Sequence, residues 1–332
     1  MKNERIIKWN PFLRLTIILA IFLLLLSVIC GQVIAQSKPQ TFPTRTITII
    51  VPFNVGGATD TYVRTLAKAM EGIIDTTIDI VNILGGRSIP AFNYVQSQPA
   101  DGHTILAIGS GDLINTVLGR YDYRKITPLA SCQWDQGVFW VPVDSPFKDL
   151  KEVLEDAKAN PGKQKWTGGL TFDEILVALF TSKAGVDIKY DPYKSCTEAN
   201  VALAGGFYTM GYEEIGPMLG LYEAGKIRPV VVLTEERLPK YPDIPTVLEY
   251  GIDVTLGRWR GLGVKIGTSA EIVTYLENVI EQALESKEYK GLAARTVTDQ
   301  RPGFMPSTAI KKQMDEEFLL YKRIMEELGL VK

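Results

Sequence analysis

Ile47-Thr48-Ile49-Ile50-Val51-Pro52-Phe53-Asn54-Val55-Gly56-Gly57-Ala58-Thr59-Asp60 is the stretch on which the fold class turns. Ile47 to Val51 is a β-rich apolar run closed by turn residues, which predicts a buried strand. Beyond it Val63, Leu66, Ala67 and Met70 recur at helical spacing up to Gly72, which predicts an amphipathic helix. A strand, a Gly-Gly turn and a helix in that order aim backbone N–H groups and the positive end of a helix dipole at one point, a candidate anion site. The same residues fit a plainer reading, in which Gly56 and Gly57 make a tight turn and Asp60 caps the helix. A nucleotide is excluded as the anion. A P-loop needs Lys and Ser or Thr where Ala58-Thr59-Asp60 stands, and two adjacent glycines do not make a dinucleotide fingerprint. An acid in the first helical turn repels phosphates, so a small carboxylate, held partly through water, suits the loop better.

The same grammar repeats downstream. Thr77 to Ile83 reads as a strand running into Gly85-Gly86-Arg87-Ser88, followed by a helix with Ile89, Phe92 and Val95 on one face. Pro99-Ala100-Asp101-Gly102 turns into the strand His103 to Ile108, which opens on Gly109-Ser110-Gly111. Three strands ending in Gly loops with helices between them predict a parallel sheet with a ligand crevice at its C-terminal edge. Val138 to Val143 leads to Ser145-Pro146, a cap and first position for a helix stopped by Asn160-Pro161-Gly162. A second α/β series follows, including a helix from Phe172 to Ala184 and closing on the strand Ile227 to Leu233. Two helical stripes make the tail, one from Ile272 to Ala283 and one from Ile310 to Leu328. Two α/β domains, with the C-terminus returning to the first, are the economical arrangement. The cleft between them is the default ligand site.

Residues 1–35 read as a secretory leader. Lys2, Arg5, Lys8 and Arg14 precede an apolar block from Leu15 to Ile29, and Val33-Ile34-Ala35 offers small residues for cleavage. An uncleaved anchor is the alternative, since the block is slightly short for a spanning helix. Beyond the leader 32 Lys and Arg face 37 Asp and Glu, the totals of 36 and 38 less the leader's four and one. No basic block survives, which argues against nucleic acid or an anionic membrane surface as partner. Cys132 and Cys196 lie too far apart for a metal-site spacing; an exported chain can join them or leave two buried thiols. With His103 the only histidine, a Ser-His-Asp or Cys-His arrangement has little to be built from. No His/Cys cluster suits zinc, no acidic loop suits calcium, and no cofactor is expected. Glu213 and Glu214 are adjacent and so should diverge on a regular element.

The exported portion resembles the solute-binding receptors of tripartite tricarboxylate transporters, the Bug-type receptors. The resemblance rests on Pro52-Phe53-x-x-Gly56-Gly57-x-x-Asp60, Pro99-Ala100-Asp101-Gly102-His103-Thr104, Asp191-Pro192-Tyr193-Lys194 and Ala224-Gly225-Lys226-Ile227-Arg228. Leu238-Pro239-x-Tyr241-Pro242-Asp243-Ile244-Pro245-Thr246-Val247 and Trp259-x-Gly261-Leu262 follow in order. It implies a two-domain, hinged periplasmic-binding-protein fold of α/β class (type II-like) that closes on a small carboxylate. It also implies a periplasmic monomer serving the permease subunits of an ion-driven transporter. The expected boundaries are 42–137 with 253–332 for domain one and 138–252 for domain two. A sensor subunit with the same pocket, or an enzyme on the same fold, are the alternatives.

On this resemblance the ligand is gripped by Phe53, Asn54, Gly56, Gly57, Asp60 and Ser110 from domain one. Gly168, Gly169, Thr171, Tyr193, Ser195 and Glu213 approach from domain two. Arg87 stands where the family favours small or amide residues, and is either a solvated loop residue or a bidentate grip on a second carboxylate. Glu213 is either an acceptor for a ligand amine or hydroxyl, or a surface acid. The loop Trp166 to Glu174 is shorter than the family's, with Glu174 in place of a His. Thr171 and Glu174, like Ser195 and Glu198, have capping-box spacing, so Glu174 either folds onto the helix start or disfavours an anion in the cleft.

Overall fold

The computed structural model describes residues 42–331; the leader and cleavage expectations for residues 1–35 lie outside them. Two mixed sheets organise the described chain. The first takes β1 (Ile47–Val51), β2 (Ile78–Asn82), β3 (Thr104–Gly109), β4 (Ile126–Asp135), β10 (Arg258–Lys265) and β11 (Met305–Pro306), in the order β11-β4-β10-β3-β1-β2. The second takes β5 (Gly137–Pro142), β6 (Lys165–Gly168), β7 (Lys189–Pro192), β8 (Met210–Glu214) and β9 (Ile227–Val232), in the order β7-β6-β8-β5-β9. The chain passes from one sheet to the other at Gln136 and returns between Val232 and Arg258.

The expected parallel sheet is corrected in part. β1, β2 and β3 are parallel, as are β6, β7 and β8, but β10 enters the first sheet antiparallel between β3 and β4. Its direction follows from its origin: it comes back from the second sheet and not through a crossover helix. One face of the first sheet is covered by α1 (Ala58–Ile74) and α8 (Ala270–Leu284), where Tyr62, Leu66 and Met70 meet Ile49, Ile105, Leu276 and Ile280. The other face carries α2 (Ile89–Ser97), α3 (Ser110–Val117) and α10 (Ser307–Glu327), through Phe92, Leu113, Ile310 and Met314. The second sheet lies between α4 (Leu150–Ala159) with α5 (Phe172–Ala184) and α6 (Cys196–Ala204) with α7 (Ile215–Glu223). A short α9 (Lys287–Thr296) completes the helices named here.

Two local expectations change. The cap of α4 is Asp149, whose carboxylate accepts from the Glu152 N–H at 3.0 Å, and not Ser145; the helix begins only at Leu150, and Ser145 Oγ accepts from the Phe147 N–H at 3.4 Å in the turn before it. Ser110 lies on the first turn of a helix and not in an open loop. Cys132 and Cys196 are both free. Among the described residues no helix is long and apolar enough to cross a membrane, and no group of His, Cys, Asp or Glu is arranged to hold a metal ion.

Candidate ligand-binding site

β1 delivers the Gly-Gly loop to the C-terminal edge of the first sheet. Gly56 adopts φ 78°, a left-handed conformation open to glycine without strain, and this turn lets α1 begin at Ala58. Asp60 is buried beneath the loop. Its Oδ2 accepts from the Gly56 N–H at 2.9 Å and Arg64 Nε at 2.8 Å, and its Oδ1 from Asn82 Nδ2 at 2.8 Å. Burial opposes the charge, yet Arg64, the Gly56 N–H and Asn82 together hold the Asp60 carboxyl below its usual range. The Gly57 N–H donates to the Asn54 carbonyl at 3.1 Å. Both glycine N–H groups are therefore taken within the loop, which corrects the expectation that they face an anion. The donors left for an anion here are the first-turn N–H groups of α1. Phe53 and Asn54 are exposed at the mouth of this loop.

From the second sheet, β6 runs through Gly168 and Gly169 into α5. A Cβ on Gly168 would meet Tyr190 Oη at 2.6 Å, and one on Gly169 would meet Cys196 Sγ at 2.6 Å and Asp173 Oδ2 at 2.7 Å. These glycines exist for close packing. Thr171 is held at φ 65°, ψ −91°, a strained conformation for a β-branched residue. Glu174 accepts the Thr171 N–H at 2.7 Å, as its spacing allowed, and also Arg87 Nη1 at 2.8 Å. Arg87 Nη1 reaches Thr171 Oγ1 at 3.2 Å as well. Arg87 is thus neither a solvated loop residue nor free for a second carboxylate: it ties the loop after β2 to the start of α5.

The remaining expected residues are dispersed around this point. Ser110 is fully buried and accepts from the Trp259 N–H at 3.1 Å. Tyr193 donates its N–H to the Gly168 carbonyl at 2.9 Å, and its hydroxyl meets that of Tyr208 at 3.2 Å. Ser195 stands at the N-cap of α6 without a side-chain capping bond. Glu213 is buried, with Asn200 Nδ2 at 3.3 Å and the Glu214 N–H at 3.0 Å on its carboxylate. Glu213 and Glu214, both within β8, diverge to different partners inside one buried network: Glu213 takes Asn200, Glu214 meets Arg258 and Arg260, and the Glu214 N–H on the Glu213 carboxylate joins the two.

That network is what the sequence reading missed. Arg258 bonds Asp173 and lies with its Nε 2.9 Å from Glu214 Oε1. Arg260 sets Nε 2.6 Å from Asp135 Oδ2, Nη1 2.6 Å from Thr59 Oγ1 and Nη2 3.4 Å from Glu214 Oε2. Arg258 and Arg260 leave β10 on the same face, as residues two apart on a strand do. They join the first sheet to acids on β8 and α5. Burial pushes Asp173 up to about 6 against the pull of Arg258. Burial would also raise Glu214, but Arg258 and Arg260 hold it down at about 2. Glu213 goes well above its usual range through burial and the neighbouring Glu214 charge. The available signal was two arginines at alternate positions at the start of a strand that carries no further charge until Lys265. A hollow of about 340 Å³ on the outer face of α10, lined by Thr308, Lys311 and Asp315, is remote from this chemistry and is a helix surface.

Comparison with known proteins places the chain. The family model described as "Tripartite tricarboxylate transporter family receptor" matches residues 62–330. A UPF0065 protein in the gbd 5' region of Cupriavidus necator is 30% identical over 306 residues, 90% of this chain and 92% of that one. An adipate-bound protein of R. palustris is 25% identical at a TM-score of 0.77, covering 87% of this chain and 98% of the other. The periplasmic binding protein BugD shares the fold at a TM-score of 0.78 and 21% identity, over 88% of this chain and all of that one (100%). The family is one of solute receptors, not enzymes.

Proposed function

This chain belongs to the tripartite tricarboxylate transporter receptor family, and we propose that it is exported, binds one small carboxylate between its two sheets, and presents it to a membrane permease. The observation that carries this reading is the pair Arg258 and Arg260, which β10 sets between the first turns of α1 and α5: Arg260 meets Thr59, Arg258 meets Asp173, and both reach Glu214. Guanidinium groups and helix starts are what a carboxylate needs. The adipate-bound relative supports the same ligand class. Glu213, Tyr193 and Ser195 approach from the second sheet, and the Gly-Gly loop from the first. The lobes correspond to 42–137 with 253–332, and to 138–252.

Thermal shift against mono-, di- and tricarboxylates, followed by mass spectrometry of the bound compound, tests it. One carboxylate should raise the apparent stability by mass action and be recovered unchanged. Turnover of the ligand, or no response to any carboxylate, overturns the reading. Intact mass of protein from the cell envelope should correspond to cleavage near Ala35; a retained leader would make it an anchored receptor.

A further inference from the structure

The Arg258 bridge sets a charge condition on anything that enters between the sheets. Its guanidinium belongs to the first sheet, yet it contacts Asp173 and Glu214 of the second and lies 4.7 Å from the centre of the Phe172 ring. Around it four buried carboxyl groups, on Asp135, Asp173, Glu213 and Glu214, stand with only two guanidinium groups, the buried one of Arg260 and that of Arg258, whose side chain is 15% exposed. The hydroxyl of Tyr212, a residue 2% exposed, has no hydrogen-bond partner. It lies beside Gly137, where a Cβ would meet it at 2.6 Å, and Gly137 is the strand partner of Glu214. Acids, an aromatic face and an unused hydroxyl together make a cation subsite, which Arg258 fills when nothing else does.

A ligand that parts Arg258 from these acids must replace both halves of the bridge, because either charge left buried without a partner is strongly unfavourable. A plain carboxylate satisfies Arg258 and strands Asp173 and Glu214. We propose that the ligand is an amino-bearing carboxylate, its protonated amine on Asp173 and Glu214 beside Tyr212 and over Phe172, its carboxylate on Arg258. This deepens the receptor reading above and rests on it.

Calorimetry on the protein recovered from the cell envelope decides the point with pairs that differ by one ammonium group: L-aspartate against succinate, L-glutamate against glutarate, and L-2-aminoadipate against adipate. At least one amino diacid should bind about tenfold or more tighter than its bare counterpart, the effect of one charged hydrogen bond. Asp173→Asn should remove most of that preference from both sides, weakening the amino diacid, which loses its ammonium partner, and strengthening the bare diacid, which no longer strands a charge at this position. Bare diacids that bind as well as or better than their amino counterparts overturn the cation subsite and leave the carboxylate receptor standing. Silence from both series overturns the cation subsite, and the thermal-shift panel of mono- and tricarboxylates then decides the receptor reading. The wild-type pairs decide even if the variant does not fold.

Discussion

Gly261 shows what a single residue is asked to do here. A Cβ at this position would lie 2.3 Å from the Ala130 carbonyl oxygen, backbone against backbone, where the pairing of β10 with β4 skips Cys132. Gly72, in α1, has nothing within 4 Å of its Cβ position. Gly261→Ala should therefore destabilise by about 1–3 kcal/mol or more, and Gly72→Ala should stabilise by roughly 0.5–1 kcal/mol. Urea unfolding of the two variants measures both, and equal effects would remove the steric account. Asp173 makes a second prediction. With its folded carboxyl near 6 and its ordinary value 3.8, the native state holds a proton that the unfolded chain has already released. This group's contribution is thus full below 3.8 and is lost as pH rises through 6. Relative to Asp173→Asn, the wild type should lose on the order of 3 kcal/mol between pH 4 and pH 6 or above. A pH-independent difference would show that Asp173 is not titrating there. Glu214 has the opposite sign, its contribution present above its ordinary 4.5 and lost as pH falls through about 2.

At the level of elements, the start of α5 is a junction. Glu174 closes the capping box on Thr171 and holds Arg87 from the loop after β2. The Arg87–Glu174 pair is about 30% exposed on each side, so it adds no more than about 1 kcal/mol to stability. Its consequence is for binding: a ligand carboxylate that uses Arg87 must first displace Glu174. Glu174→Gln keeps an acceptor for the helix start and releases the guanidinium. It should strengthen diacid binding severalfold, measured by calorimetry, with thermal stability nearly unchanged. Unaltered affinity would place Arg87 outside the ligand site. The capping spacing of Thr171 and Glu174 was legible in the sequence; the partner of Glu174 was not, because Arg87 is far along the chain and only the fold brings the two together.

For the whole molecule, charge between the two sheets governs the proposed closure. Arg258 neutralises Asp173 and Glu214 across the gap, and without it the acids of the second sheet have only Arg260 for compensation. Arg258→Met keeps the length and apolar stem of the side chain and removes the bridge. The ligand-free variant should be more open, read as a larger radius of gyration in small-angle scattering than that of the wild type. A variant that scatters like the wild type would show that packing alone holds the sheets together.

Much was determined by the sequence alone: β1 at Ile47–Val51, α5 at Phe172–Ala184 and the long tail helices, since periodicity and turn residues act over a few neighbours. The family was legible for the same reason, through short motifs such as Pro52-Phe53-x-x-Gly56-Gly57-x-x-Asp60. Only the tertiary structure decided where the charges meet. Gly56 and Gly57 looked like anion donors until Asp60 and the Asn54 carbonyl took their N–H groups. Arg258, Asp173 and Glu214 are distant in sequence and carry no shared pattern. Their pairing is fixed by strand order and burial, and burial is what turns ordinary surface residue types into a network that selects its ligand.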